Sequence, residues 1–173
     1  EMFEGGWDAL VTNQPGLMVT VRTADCVPVL LHDPVRQVVA AIHAGWRGAV
    51  AGIVSKTVAL LVSRFGTTIK DVRMAIGPSA GACCYEVDEP VLTRLRDVFP
   101  EWQSVVSPVN PQRAHLNLRA FVRRQAVNGG VDAERIATVD ACTICQPEAF
   151  FSYRREGVVK ATMVSGIALV PTR

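Results

Sequence analysis

"TADCVPVLLHDPVRQVVAAIHAGWRG", residues 23–48, decides how this fold is read. The run is apolar and rich in β-branched residues on either side of Asp33-Pro34, a turn signal, so residues 26–31 and 37–42 are expected to be strands of one antiparallel hairpin. A turn about Pro34-Val35 sets Leu31 opposite Val38, Leu30 opposite Val39 and Cys26 opposite His43. Directly paired residues have Cβ atoms ~4.5 to 5.5 Å apart on one face. That register places a thiol beside an imidazole, close enough for a hydrogen-bonded dyad or for two ligands of one metal ion. A one-residue slip would separate them. Pro28 cannot donate to a ladder, which predicts an edge or bulged position for the first strand.

Downstream, "HAGWRGAV" (residues 43–50) carries Gly45 and Gly48 where strand must turn into helix. The free N–H groups of that helix start, with Arg47 beside them, are expected to form an anion pocket suited to phosphate. Across residues 47–65, Val50, Ile53, Val54, Val58, Leu61 and Phe65 recur at helical spacing until Gly66 stops the run. Upstream, residues 17–22 read as a strand. Beyond the helix come a strand at 71–76, the glycine-rich loop "GPSAGACCYE" (77–86), and a helix started by Asp88 with Pro90 in its first turn and closed by Pro100. A further helix is expected at 117–128, stopped by Gly129-Gly130, then strands near 135–139, 150–153, 158–164 and 166–170. Runs of strands unbroken by helices predict an α/β (α+β) fold, a layered sandwich with mixed sheets rather than a doubly wound sheet.

The chain has 173 residues, the size of one domain, and residues 1–173 are expected to form a single one. It opens at Glu1, which is read as a processed or truncated form. With 20% charged residues, net charge +2 and no block of like charges, nothing points to nucleic acid as a partner. Apolar runs are interrupted well before the ~20 residues of a membrane span. Five cysteines, an odd number that includes the neighbours Cys83 and Cys84, are not a secreted disulfide framework, so a reducing, cytoplasmic setting is expected. Cys142 and Cys145 form a lone CxxC, and Cys83-Cys84 lacks zinc-finger spacing. These four are expected to be buried free thiols rather than a structural zinc site. His32 and His115 are expected in surface loops. In "FFSYRREG" (150–157), one of Arg154 and Arg155 is expected to reach the pocket and the other to face solvent. Asp25 and Glu86 are candidate proton carriers or partners behind the metal ligands.

"TADCVPVLL", "HAGWRG", "IGPSAGACCYEV", "HLNLRA" and "CTICQPEAFFSYRREG" together resemble the YfiH family, also called the laccase-domain or polyphenol oxidase family, over residues 8–170. That resemblance implies an α/β/β/α sandwich like that of Cys-His hydrolases. It also implies a purine nucleoside phosphorylase that cleaves adenosine, inosine and methylthioadenosine with phosphate and deaminates adenosine. The family's metal, zinc or by some reports copper, is held by Cys26 and His43 together with a histidine of a "QVHG"-type N-terminal segment that this sequence does not contain. The expected site is therefore Cys26, His43 and Asp25 for catalysis, Arg47 and Arg154 for substrate and phosphate, and Cys26 and His43 for metal. The rival reading is a metal-independent hydrolase or amidase acting on cell-wall precursors, with Cys26 as nucleophile, His43 as base and Asp25 or a backbone carbonyl orienting the imidazole. A copper polyphenol oxidase of the multicopper kind needs more imidazoles than the three histidines present.

Overall fold

In β3 (Val27–Asp33) and β4 (Val38–Ala44), burial does not alternate: nearly every position is closed to solvent. Strands of this kind must be covered on both faces. On one face Val29, Leu31, Ala40 and Ile42 join the larger core with Val54, Val58 and Leu61 of α2 (Ile53–Phe65) and Phe121 and Val122 of α4 (Leu118–Asn128). On the other, Val39 and Ala41 meet Val19 and Val21 of β2 (Met18–Thr23) together with Leu169. Each fully buried Val, Leu or Ile side chain contributes roughly 1.5 to 3 kcal/mol, so this hairpin anchors both cores.

The computed structural model describes residues 7–170. A five-stranded sheet has the order β1 (Ala9–Thr12), β4, β3, β5 (Arg73–Ile76), β9 (Ile136–Thr138), with the β5–β9 pair parallel and the rest antiparallel. A two-stranded sheet of β2 and β10 (Met163–Ala168) covers its second face. A third sheet has the order β6 (Glu86–Asp88), β8 (Arg113–Leu116), β7 (Val106–Asn110). The remaining helices are α1 (Trp46–Val50), α3 (Glu89–Val98) and α5 (Tyr153–Glu156). The fold is the expected layered α/β sandwich with mixed sheets. None of its described helices is long and apolar enough to cross a membrane.

Several local expectations are corrected. The hairpin turns through four residues: Asp33 pairs with Val38, Leu31 with Ala40, and His43 faces Pro28, not Cys26. Asp33 Oδ1 accepts the N–H groups of Val35 (2.8 Å) and Arg36 (3.0 Å), and Gln37 takes a left-handed φ of 52°, which widens the turn. The shift is two residues, so each side chain keeps its face. β3 is central, not an edge. Pro28 O accepts from Gly77 N (2.9 Å) just past the end of β5, and the N–H that proline lacks would have faced that same residue, so the loss is one bond at the end of the ladder. A Cβ on Gly77 would lie 2.7 Å from Pro28 Cγ, which fits the glycine there.

The helix expected at 47–65 breaks at Ala51-Gly52, where Gly52 has φ 76°. Residues 150–153 form no strand; Ser152 instead caps α5. The strands expected at 158–164 and 166–170 are one, β10. His32 and His115 lie on β3 and β8 rather than in loops. The short strands β1, β6, β7 and β8 carry too little periodicity to be read from sequence.

Candidate functional site

Leaving β2, the chain bends through Ala24 and Asp25 before entering β3, and Asp25 takes a left-handed φ of 92° that few residues other than Gly, Asn and Asp adopt. Asp25 O accepts from Ala80 N (2.9 Å). Its buried carboxylate accepts from Thr143 Oγ1 (2.6 Å) on one oxygen, and from Ser152 Oγ (3.0 Å) and Arg154 N (2.6 Å) on the other. These donors come from segments more than a hundred residues downstream.

Cys26 directly precedes β3, and its half-buried thiol lies over Gly45. A Cβ at Gly45 would sit 3.1 Å from Cys26 Sγ and 4.0 Å from His43 Cε1. The structure thus brings Cys26 and His43 together on the face that β3 and β4 turn toward the β2–β10 sheet, as diagonal rather than direct neighbours. His43 Nδ1 is 2.8 Å from Asp8 Oδ1, and His43 N donates to Asp8 O at 2.7 Å. Asp8 reaches this place because β1 pairs with β4, Ala9 opposite Ile42. The hydrogen bond with Cys26, and then that with Asp8, outweigh burial and raise the imidazole to about 9. With Nδ1 held by a carboxylate, Nε2 is the nitrogen left for the thiol or a metal.

Beside Cys26 lies a cavity of about 190 Å³ whose walls include Asp25, Trp46, Tyr85, Leu118, Tyr153 and Arg154. Trp46, Tyr85 and Arg154 also line a neighbouring cavity of about 270 Å³ with Glu86 and Arg113. The Arg154 guanidinium stands 5.1 Å above the Tyr85 ring and donates to Glu86 O (2.8 Å). Glu86 Oε1 accepts from Arg113 Nη1 (2.8 Å). Burial pushes the Tyr85 hydroxyl upward in pKa, with Arg154 opposing. Exposed Arg47 stacks on Trp46 at 4.5 Å. Arg155 does not face solvent as expected: it is half-buried, and its guanidinium donates to the carbonyls of Thr143 (2.7 Å), Ile144 (3.2 Å) and Phe150 (2.8 Å).

The expectation of four separate buried thiols is also corrected. Cys83 and Cys145 are exposed, Cys84 is half-buried and Cys142 is buried. Their four sulfurs gather within 4.8 Å of one another. Sequence reasoning missed this, and it missed Asp8, Thr143 and Ser152, because each partner lies on a distant segment and no local spacing links them.

The layered α/β fold thus sets a carboxylate-held Cys-His pair beside a groove lined by aromatic rings and an arginine. The chain belongs to the multi-copper polyphenol oxidoreductase laccase family, whose model matches residues 2–170. It is 37% identical to a purine nucleoside phosphorylase of Bacteroides thetaiotaomicron, covering 95% of this chain and 61% of that protein. It is 38% identical to adenosine deaminase RL5 of an unknown prokaryotic organism, covering 94% and 62%. The crystal structure of Bacillus licheniformis hypothetical protein YfiH superposes with a TM-score of 0.91 at 35% identity, covering 94% of this chain and 61% of that one. The chain therefore spans about three-fifths of the length of these relatives.

Proposed function

We propose that this chain carries a purine nucleoside phosphorylase site with adenosine deaminase activity. The observation that carries the reading is the Asp8-held Cys26-His43 pair at the wall of an aromatic groove bearing Arg154, in a chain similar to proteins of those two names. Trp46, Tyr85 and Tyr153 offer flat surfaces for a purine. Arg154 and, from its stacked position on Trp46, Arg47 are the cations for phosphate. Phosphorolysis needs phosphate held in line with the sugar C1′ while positive charge grows on the ribose, so fixed arginines contribute by position and field. Asp25 has a full set of donors on its carboxylate. Its role in this reading is to position Arg154 and the bend before Cys26 rather than to carry protons.

The donor set suits a zinc ion: a soft thiol, an imidazole nitrogen freed by the Asp8 bond, and a polar groove in front. Cys26 and His43 would hold it, and when bound it would supply Lewis acidity toward a substrate oxygen or a water molecule. The test is phosphate-dependent release of base from inosine and adenosine by the zinc-loaded protein, followed by chromatography, alongside Cys26→Ala. Release that ignores phosphate, or survives Cys26→Ala unchanged, overturns the reading.

One observation favours a second reading. Asp8, His43 and Cys26 have the order of orienting acid, base and nucleophile, the arrangement of a metal-independent cysteine hydrolase. In this arrangement Asp8, not Asp25, has the orienting place. Turnover of an amide substrate that persists in chelator and is abolished by alkylating Cys26 would select it.

A further inference from the structure

Two short segments far apart in sequence meet beside the groove. The loop that ends at Tyr85 supplies Cys83 and Cys84, and the stretch after β9 supplies Cys142 and Cys145. Backbone bonds join them: Thr143 N donates to Ser79 O (3.1 Å) and Ser79 N to Ala141 O (3.4 Å). Cys145 Sγ is 2.9 Å from Cys84 Sγ and 3.3 Å from Cys83 Sγ, and all four sulfurs lie within 4.8 Å of one another. A zinc ion with sulfurs at about 2.3 Å in a tetrahedron sets them roughly 3.8 Å apart. The separations in the quartet, 2.9 and 3.3 Å for two pairs and up to 4.8 Å overall, lie on either side of that value.

A second observation points the same way. Cys142 Sγ accepts from the N–H of Gly81 at 3.2 Å, and the N–H groups of Ile144 and Cys145 also bond to it. Amides two and three residues past the first cysteine of a CxxC, aimed at its sulfur, stabilise a thiolate rather than a thiol. Gly81 is shaped to this site: a Cβ there would lie 3.2 Å from Cys142 Sγ and 3.3 Å from Cys83 Sγ.

We propose that Cys83, Cys84, Cys142 and Cys145 bind one zinc ion as a closed tetrathiolate centre, separate from the Cys26-His43 pair. Four protein ligands leave no open position, so the role is structural. Binding would pin two walls of the groove. Thr143, between the two ligands of the second segment, donates to Asp25, and Tyr85 directly follows Cys84. The thiol protons leave to solvent as the metal enters, so uptake is favoured by higher pH. The inference stands whether or not the nucleoside reading does.

The test uses a Cys26→Ala/His43→Ala double variant, purified in reductant without chelator, so that the other candidate metal site is removed. Elemental analysis is expected to find one zinc per chain, and X-ray absorption to find sulfur neighbours alone at about 2.3 Å. Adding Cys83→Ser and Cys145→Ser should abolish it. Should those variants fail to fold, cobalt titrated into the metal-stripped double variant decides the matter. Intense thiolate-to-cobalt charge-transfer bands with a tetrahedral d–d spectrum support the proposal. Absence of those bands overturns it, as does a Cys84-Cys145 disulfide that persists in reductant with no zinc bound.

Discussion

The Asp8 carboxylate lies 2.8 Å from His43 Nδ1, across the pairing of β1 with β4, and His43 in turn meets Cys26. One edge strand thereby sets the tilt of the imidazole at the end of the central hairpin. In metal-free protein His43 is expected to stay protonated through neutral pH, because its folded pKa of about 9 lies above its ordinary 6.5. The stabilisation this provides is complete below 6.5 and lost as pH rises through about 9. An NMR titration of chelator-treated wild type and Asp8→Ala should show a lower imidazole pKa in the variant; equal values would remove Asp8 from the site.

Gly45→Ala isolates the contact between the thiol and the imidazole. The new methyl would lie 3.1 Å from Cys26 Sγ, so the sulfur must give way by a few tenths of an ångström beside His43. Overpacking of this kind costs about 1 to 3 kcal/mol. The expected signature is a folded protein whose His43 pKa falls and whose Cys26 alkylates at a changed rate. A variant with wild-type values for both would show that the thiol does not need the space.

Asp25 holds three donors from two distant segments, and hydrogen bonds to a charged group contribute roughly 1.5 to 3 kcal/mol each. Asp25→Ala strands those donors and should cost on the order of 3 kcal/mol or more by denaturant unfolding. Asp25→Asn keeps the shape and part of the acceptor capacity and should cost less. A melting temperature unmoved by either change would contradict the positioning role.

Arg47→Ala addresses the anion. If Arg47 holds phosphate from its place on Trp46, its loss should raise the KM for phosphate about tenfold or more and leave deamination, which consumes no phosphate, nearly intact. Parallel losses in both reactions would instead assign Arg47 to the nucleoside or to the fold.

What the amino-acid order determined by itself is local. Short apolar, β-branched runs on either side of Asp33-Pro34 mark two strands covered on both faces, and Gly66 and Gly129 mark helix ends. The same period-two logic put Cys26 and His43 on one face, and it survived a two-residue error in register because such a shift preserves the face. The register itself depended on Asp33 taking two backbone N–H groups and on Gln37 turning left-handed, a competition of turn types that composition does not settle. Only the tertiary structure decided which distant groups complete each site. Asp8 arrives through strand pairing, Thr143 and Ser152 arrive at Asp25 from more than a hundred residues away, and two unremarkable cysteine pairs converge into a quartet. Such contacts are set by how the layers pack, and side chains brought together by packing leave no spacing in the sequence to read.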